Sequence, residues 1–327
     1  MKHGRLLLPV VVVTIGAMFL SFAWSQEFRP SKPIEVIVHS APGGGSDLFA
    51  RAIAEMMQKE NLLPQRLQVI NKSGGSGAVA MAHLAGKKGD THTIGLFTTA
   101  VIVASITQKE AQYTIGDLTP VVHLVLEPSI AAVRADAPHK TMKDFVEAAK
   151  KNPGQLKQAG GVVTSLDNMF RLLIQKATGA QWAYINLPSG AERVANLLGG
   201  HMDLMLDNPD KVSEYVRAGK MRIIAALTEK RLSAYPDVPT IKEQGIAIPI
   251  LTQSRGVIAP PGVVSEVVSY WENLFARLVQ NPGWKKYIEE NQQETFYLKS
   301  RDLAQFLDEQ TKVLRSVLKE TGVKVVR

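Results

Sequence analysis

HSAPGGGSDLFARAIAEMM, residues 39–57, follows directly on an apolar run, Ile34–Val38, and turns helical after three consecutive glycines. A strand, a bare glycine turn and a helix N-terminus in this order predict a loop that binds an anion, because exposed N–H groups and the helix dipole both favour negative charge. The loop is not a P-loop, since no Lys-Ser or Lys-Thr follows the glycines, and Leu48 occupies the last glycine position of G-x-G-x-x-G. Nucleotide binding is therefore not expected, and a tight turn without a ligand is the alternative.

The N-terminus predicts export. Lys2 and Arg5 precede an apolar stretch over residues 6–22, which is typical of a secretory signal peptide. We expect this peptide to comprise residues 1–25, with cleavage after Ser25, and the mature chain to be periplasmic; an uncleaved membrane anchor is the alternative. The chain has no cysteine, which excludes disulfides, thiol nucleophiles and zinc–thiolate sites.

The charge distribution argues against a nucleic-acid partner. The formal net charge is +8, but lysine and arginine are interspersed with acids, as in KVSEYVRAGKMR at 211–222, and no basic run is interleaved with aromatic residues. Nucleic-acid binding would need such clustering. A weak positive field that favours small anionic solutes is the better interpretation.

The order of elements predicts an α/β fold. Apolar runs rich in valine and isoleucine alternate with helical patterns of about ten to fifteen residues, which is typical of strand–helix–strand units around a mainly parallel sheet. Two lobes joined by crossing strands fit the length best. The chain would leave the first lobe near Glu127 and return near Thr252, so that 26–127 and 253–327 form lobe 1 and 128–252 form lobe 2. A single doubly wound domain is the alternative.

Strands are predicted at the apolar runs Ile34–Val38, Leu67–Asn71, Thr93–Phe97, Val121–Val125, Ile130–Val133, Trp182–Asn186, Leu204–Leu206, Ile223–Leu227 and Gly256–Ala259. Helices are predicted at Ser46–Lys59, Thr141–Asn152, Ser165–Thr178, Ala191–Leu198, Lys211–Ala218, Val263–Gln280, Pro282–Asn291 and Ser300–Thr321.

Two further loops repeat the pattern of the first. NKSGGSGAVA at 71–80 places glycines between a strand and a helix, and two such loops at strand ends suggest a shared crevice. NLPSGAERVANLLGG at 186–200 follows another strand and begins a helix, so that the N–H groups of Ser189–Ala191 could face the crevice from the opposite lobe. An ordinary strand–helix connection is the alternative for this loop.

Catalytic signatures are missing from the sequence. Neither glycine-serine stretch completes G-x-S-x-G, because Leu48 and Ala78 stand where the last glycine must be. The seven histidines show no metal-ligand spacing, and no H-E-x-x-H occurs. We therefore expect no enzyme, no metal and no cofactor, with an exported α/β hydrolase using Ser46 or His39 as the alternative. Asp47 lies in the first helical turn, where it more simply interacts with free N–H groups.

Several blocks of the sequence resemble one family. They include PIEVIVHSAPGGGSDLFARAIA at 33–54, VINKSGGSGAVA at 69–80, NLPSGAERVANLLGGHMDLM at 186–205 and AGKMRIIAALTEKRLSAYPDVPTIKEQG at 218–245, the last being the most specific. Together they are similar to the periplasmic substrate-binding proteins of tripartite tricarboxylate transporters, also called the Bug family. The resemblance runs from about Pro33 to the end of the chain.

The resemblance implies a two-lobed Venus-flytrap fold, like that of type II periplasmic binding proteins, with a mainly parallel sheet in each lobe. Such a protein captures a small organic carboxylate between its lobes and delivers it to the membrane permease subunits of a tripartite transporter. A monomer is expected. A ligand-sensing subunit without a transport role is the alternative within this family.

The resemblance also implies where the ligand lies. In such proteins its carboxylate is held by backbone N–H groups and ordered waters from the loops that match Ala41–Asp47 and Pro188–Ala191. Residues near both loops and at the ends of neighbouring strands complete the candidate ligand-binding set: Ala41, Gly43, Gly44, Gly45, Ser46, Asp47, Thr98, Thr99, Thr164, Ser165, Asn168, Ser189, Gly190, Ala191 and Asp207.

The chain departs from the family pattern at positions that bear on the ligand's identity. The usual Pro-Tyr-Lys-Gly loop is Leu-Pro-Ser-Gly at 187–190, and Asn168 stands where histidine is common. Thr164, Ser165 and Asn168 are polar candidates for the far end of the ligand. Arg255 could pair with a second ligand carboxylate or simply face solvent.

Overall fold

The computed structural model describes residues 28–161, 165–187 and 189–326. Its strands are β1 (Ile34–Val38), β2 (Leu67–Asn71), β3 (Thr93–Thr98), β4 (Thr119–Glu127), β5 (Ile130–Arg134), β6 (Lys157–Gly160), β7 (Ala183–Asn186), β8 (Leu204–Asp207), β9 (Met221–Ala226), β10 (Gln253–Ala259) and β11 (Glu294–Lys299). Its α-helices are α1 (Gly45–Lys59), α2 (Ala78–Ala85), α3 (Thr99–Thr107), α4 (Met142–Lys151), α5 (Leu166–Thr178), α6 (Gly190–Leu198), α7 (Ser213–Arg217), α8 (Ser265–Gln280), α9 (Pro282–Glu290) and α10 (Ser300–Glu320). The signal peptide expected over residues 1–25 lies outside the described residues.

The strands form two sheets. The first has the order β11-β4-β10-β3-β1-β2 and the second the order β7-β6-β8-β5-β9. Helices cover both sheets, which gives the α/β class that the alternation predicts. The two-lobed architecture is confirmed.

Both sheets are mixed, although the sequence predicts mainly parallel ones. In the first sheet β1 pairs in parallel with β2 and β3, whereas β10 is antiparallel to β3 and β4. In the second sheet β5 is antiparallel to β8 and β9, and β6 is parallel to β7 and β8. The reason lies in the chain path. A strand that returns from the other sheet must enter from the opposite end, so β10 runs against β4.

The strands that connect the two sheets lie side by side. β4 ends in the first sheet at Glu127, and β5 begins in the second only three residues later, at Ile130. β10 begins at Gln253, which pairs with Glu127 in the antiparallel register of β10 and β4. Both connections therefore pass the same point between the sheets. The lobe boundaries themselves stay a prediction.

Two large cores stabilise the structure. One packs against the first sheet around the fully buried side chains of Phe49, Trp271 and Trp284. The other spans both sheets, since Ile106 of α3 belongs to the same apolar cluster as Leu173 of α5. The helix α3 is apolar on all sides, which suits a helix buried between layers. Within the described part of the chain, no helix combines the length and apolar character that a membrane span requires.

Candidate functional site

The glycine loop between β1 and α1 is held in shape by one carboxylate. Asp47 is buried, and its Oδ2 accepts hydrogen bonds from the Gly43 N–H at 2.9 Å and from Arg51 Nε at 3.0 Å. Its Oδ1 accepts from Asn71 Nδ2 at 3.0 Å, and its N–H donates to Ser40 Oγ at 3.1 Å. The hydrogen bonds from Arg51, with those from Gly43 and Asn71, lower the pKa of Asp47 to about 2. Asp47 thus positions the loop, and its carboxylate is already occupied by protein donors.

The first turn of α1 leaves donors open. Gly43 adopts a positive φ of 78°, and the chain turns so that the Gly44 N–H donates to Ala41 O at 3.0 Å. The N–H groups of Gly45 and Ser46, by contrast, have no hydrogen-bond partner among residues 28–161, 165–187 and 189–326. They lie at the positive end of the helix dipole. This turn can therefore bind an anion.

The side chains around this turn form one hydrogen-bonded group. His39 Nε2 lies 3.1 Å from both Ser46 Oγ and Thr98 Oγ1. Burial, with a contribution from nearby Arg255, lowers the pKa of His39 from 6.5 to about 4. A neutral imidazole of such low basicity removes protons poorly at neutral pH. In the described segments no carboxylate hydrogen-bonds to His39, so the orienting acid of a serine-hydrolase triad has no counterpart here.

The low pKa of His39 predicts acid sensitivity. Between about pH 6.5 and pH 4 the unfolded chain binds a proton at His39 that the folded chain does not. His39 therefore makes its full contribution to the free energy of unfolding above pH 6.5. As the pH falls from 6.5 to about 4, this contribution decreases by at most about 1.4 kcal/mol per pH unit. Urea unfolding from pH 7.5 to pH 4.5 should show a shallower dependence in a His39→Gln variant than in the wild type. If the free energy of unfolding depended on pH equally in the two proteins, the low pKa of His39 would be contradicted.

The second glycine loop, at residues 74–77, supports the first one. Its three glycines have positive φ, and Gly77 is buried where an added Cβ would lie 2.9 Å from Val101 Cγ2 and 3.6 Å from His39 Cβ. Gly77 is therefore required for the close approach of this loop to α3 and His39. The structure brings the two glycine loops together. Because Gly77 packs against His39, the second loop has a packing role.

Arg255 neither faces solvent nor stands free. It lies on β10, and its Nε and Nη2 donate to the two carboxylate oxygens of Glu127 at 2.6 and 3.0 Å. The side chains of this pair are only 13% and 5% exposed. Gln293 Nε2 also donates to Glu127 Oε1 at 2.7 Å, and Arg255 Nη1 reaches Ser46 Oγ at 3.3 Å. Arg255 thus links β10 to Glu127 at the end of β4, and its guanidinium is already paired.

The two threonines at the end of β3 have different surroundings. Thr98 contacts His39, as described above, and lies beside the first glycine loop. The hydroxyl of Thr99 donates to Thr252 O at 3.1 Å and accepts from the Ser254 N–H at 2.8 Å. The hydroxyl is therefore used both as a donor and as an acceptor. Thr99 connects α3 to the segment that leads into β10, and its hydroxyl proton is not available to a ligand.

The opposite lobe presents a second helix N-terminus. The helix α6 begins at Gly190 after Ser189, and the N–H groups of Gly190 and Ala191 find no acceptor in the described portion of the chain. An added Cβ on Gly190 would lie 3.6 Å from Arg193 Nη2. This turn is the counterpart of the one at α1. Pro188, which precedes it, lies outside the described residues.

Asp207 is paired inside the second lobe. Arg193 Nε and Nη2 donate to Asp207 Oδ2 at 3.0 and 2.7 Å, and the Asn208 N–H donates to Oδ1 at 2.8 Å. Burial raises the pKa of Asp207, and the adjacent Arg193 opposes this shift. Arg193 Nη1 also donates to Leu187 O at 3.0 Å. The pair lines a cavity of about 230 Å³ at the carboxyl ends of the strands.

The start of α5 forms another wall of this cavity. Asp167 Oδ2 accepts from the Gly161 N–H at 2.9 Å and from Tyr184 OH at 2.8 Å, and Ser165 Oγ lies 3.3 Å from the same hydroxyl. Asn168 is buried, and its Oδ1 accepts from Arg171 Nε at 2.8 Å. Thr164 lies outside the described residues.

Side chains far apart in sequence make up much of the site. Arg193, Asp167 and Glu127 are absent from the candidate set. Tyr184 is absent as well, although its hydroxyl donates to Asp167 and belongs to the polar wall. Their signal in the sequence was weak, since a single charged residue near a strand end is common. Across the described ranges no group of three or more histidine or acidic residues is placed to hold a metal ion.

Comparisons with known proteins find one matching family. Residues 49–323 match the family described as "Tripartite tricarboxylate transporter family receptor". A protein of Cupriavidus necator, named "UPF0065 protein in gbd 5'region", is 30% identical over 295 residues, which cover 90% of this chain and 89% of the relative.

Solved structures have the same fold. A TctC solute binding protein from Polaromonas, solved without ligand, has a TM-score of 0.74 at 28% identity and covers 89% of this chain and 99% of its own. An R. palustris protein solved with adipate has a TM-score of 0.80 at 22% identity and covers 90% and 98%. At that identity the second likeness shows the fold alone.

Proposed function

Because the chain belongs to the tripartite tricarboxylate transporter receptor family, whose members are solute-binding receptors, we propose that it binds a small organic carboxylate between its lobes and delivers it to a tripartite membrane transporter. The family and the fold are those of solute-binding proteins and not of enzymes. The adipate bound by the R. palustris relative is a ligand of this chemical class.

One observation carries this proposal: two helices from different lobes, α1 and α6, begin with unpartnered N–H groups. Those of Gly45, Ser46, Gly190 and Ala191 lack an acceptor within the described residues. A hydrogen bond to a charged acceptor contributes about 1.5–3 kcal/mol. Three or four such bonds reach the roughly 8 kcal/mol of a micromolar dissociation constant. No free arginine is needed, and Arg193 and Arg255 are both engaged by acids.

Both turns belong to one cleft in this proposal. Arg255 touches Ser46 beside α1, and its charge interacts with that of Asp210, which follows β8 in the other lobe. Asp210 pairs with Lys211, whose Cδ would lie 3.9 Å from a Cβ on Gly190. Closing the lobes would bring the two helix ends to the same carboxylate and exclude water from it. Ligand binding then shifts an open–closed equilibrium.

We further propose a lobe division and a location for the chain. Residues 26–127 and 253–327 form one lobe and residues 128–252 the other, with the crossing strands between them as the hinge. The protein acts as a monomer in the periplasm, to which the signal peptide directs it.

The carboxylate should stabilise the protein. An acid that binds only the folded state raises the free energy of unfolding by about 2.7 kcal/mol at a concentration of 100 times its dissociation constant. The melting temperature should therefore rise with the logarithm of ligand concentration. The measurement is a thermal-shift screen of mono-, di- and amino-carboxylates, with sugars and metal cations included for comparison, against protein refolded free of ligand. Binding of sugars or cations in the same screen, with no acid active, would refute the proposal.

A hydrolase is the second candidate, and one observation favours it: the 3.1 Å contact between Ser46 Oγ and His39 Nε2. Hydrolysis of an ester panel by the wild type, abolished in Ser46→Ala, would support it. The low pKa of His39 and its lack of an acidic partner argue for the receptor.

A further inference from the structure

The cavity of about 230 Å³ lined by Asp167, Arg193 and Asp207 has a hydrogen-bond acceptor at Asp167, and the arginine among its described lining residues is paired. Asp167 lines this cavity, and its Oδ2 is engaged by Gly161 and Tyr184. Its Oδ1 accepts no hydrogen bond from the described residues. A carboxylate oxygen left in this way at a cavity surface is a strong acceptor for a charged donor.

The nearby arginines do not offset this acceptor from inside the cavity. Arg193 is neutralised by Asp207, to which it donates twice. Arg171 lies 5.3 Å from the centre of the Tyr184 ring, donates to Asn168 and Gln175, and does not line the cavity, although its charge interacts with that of Asp167. Lys211, which lies near Gly190 at the start of α6, is paired with Asp210. Among the described residues that line the cavity, a second carboxylate on the ligand would therefore face carboxylate oxygens and a single arginine that is already paired with Asp207.

The cavity joins the cleft that the proposed function uses. Gln253 lines it and precedes Arg255 by two residues on β10, so both side chains lie on one face of the sheet. Arg255 touches Ser46, and Arg193 lies beside Gly190. A ligand whose carboxylate lies at the ends of α1 and α6 would thus extend its other end toward Asp167. The volume of about 230 Å³ suits a small solute.

We infer that the solute is zwitterionic: its carboxylate is bound by the helix N-termini, and an ammonium group at its other end donates to Asp167. This inference rests on the proposed function and makes it more specific, since it excludes dicarboxylates as the preferred class. Asp167 is then a specificity-determining residue. Its Oδ1 accepts an N–H of the ligand, while its Oδ2 keeps the hydrogen bonds to Gly161 and Tyr184.

The test compares acids that differ only at the far end. Dissociation constants are measured by calorimetry for 4-aminobutyrate, glutarate and butyrate. The corresponding series that are one and two carbons longer and shorter are measured in the same way. We expect an ammonium-bearing member to bind at least tenfold more tightly than its dicarboxylate and its uncharged counterparts. Asp167→Asn, which keeps the shape and an acceptor for Gly161, should remove this preference.

The matched control is Asp308→Asn, which removes an exposed carboxylate paired with Lys312 on α10 and should leave all affinities unchanged. Tighter binding of a dicarboxylate by the wild type, or an unchanged preference in a folded Asp167→Asn variant, overturns the inference and leaves the receptor function standing. If only the acids with an uncharged far end bind, the inference is also overturned and the receptor function still stands. If no acid of any series binds, the proposed function itself fails.

Discussion

Replacing Arg255 by alanine should lower the free energy of unfolding by about 3–5 kcal/mol, because it leaves a buried carboxylate without its cation. Glu127 is 5% exposed, and Gln293 would remain as its one side-chain donor. Arg255 also packs over the Phe49 ring at 5.7 Å, so packing is lost with the charge. The measurement is urea unfolding at pH 7, followed by both fluorescence and circular dichroism.

A second arginine–glutamate pair provides the control. Arg231 Nε lies 3.0 Å from Glu243 Oε2, but both side chains are 45% exposed. Arg231→Ala should cost less than about 1 kcal/mol, since solvent screens an exposed pair. Equal losses in the two variants would mean that burial does not govern the Arg255 pair. Adding Glu127→Met to Arg255→Met should recover stability relative to Arg255→Met alone, since no buried charge is then left unpaired.

The elements with clear local patterns could be predicted from the sequence. The strands Ile34–Val38 and Leu67–Asn71 have the predicted bounds, and α1 differs from its prediction by one residue. In these segments an apolar run is bounded by glycine, proline or a helix cap, so local preference and burial agree. The chain length and the order of the elements favoured two lobes joined by crossing strands, and the family resemblance implied the same arrangement.

Other elements depend on their neighbours. The strand β6 has the sequence KQAG, with no β-branched residue, and it forms because β7 and β8 flank it on both sides. The helix α3 is absent from the sequence prediction, since TAVIVASIT has no charged residue, no polar face and many β-branched residues. Such a run gives no helical period, and only burial between layers decides its form. Tertiary context therefore overrides propensity in both cases.

The candidate site divides in the same way. Its glycine turns could be predicted, because a strand, glycines and a helix start lie within a few residues of one another. The partners of its charged side chains could not, because Arg255 and Glu127 are 128 positions apart in the chain. The free or engaged state of a side chain depends on such distant contacts. For this reason the sequence could not show that Arg255 is occupied or that Asp167 retains an open oxygen.

Gly190→Pro should weaken binding of the most stabilising acid by about 10- to 150-fold, because proline removes one N–H and a hydrogen bond to a charged acceptor is worth about 1.5–3 kcal/mol. Proline is well tolerated at the first position of a helix. The preceding Ser189 has φ −87° and ψ 130°, an extended conformation that suits a residue before proline. The ligand-free protein should therefore keep its melting temperature.

Gly190→Ala is the matched control, since it adds a Cβ and keeps the N–H. That Cβ would meet Arg193 Nη2 at 3.6 Å and Lys211 Cδ at 3.9 Å, which are ordinary contacts, so alanine should bind the acid nearly as well as glycine does. Loss of affinity in both variants would point to steric exclusion, and loss in neither would remove the Gly190 N–H from the carboxylate site. Loss in proline alone assigns the contact to a main-chain amide, because the N–H is then the only difference in hydrogen bonding between the two variants at this position.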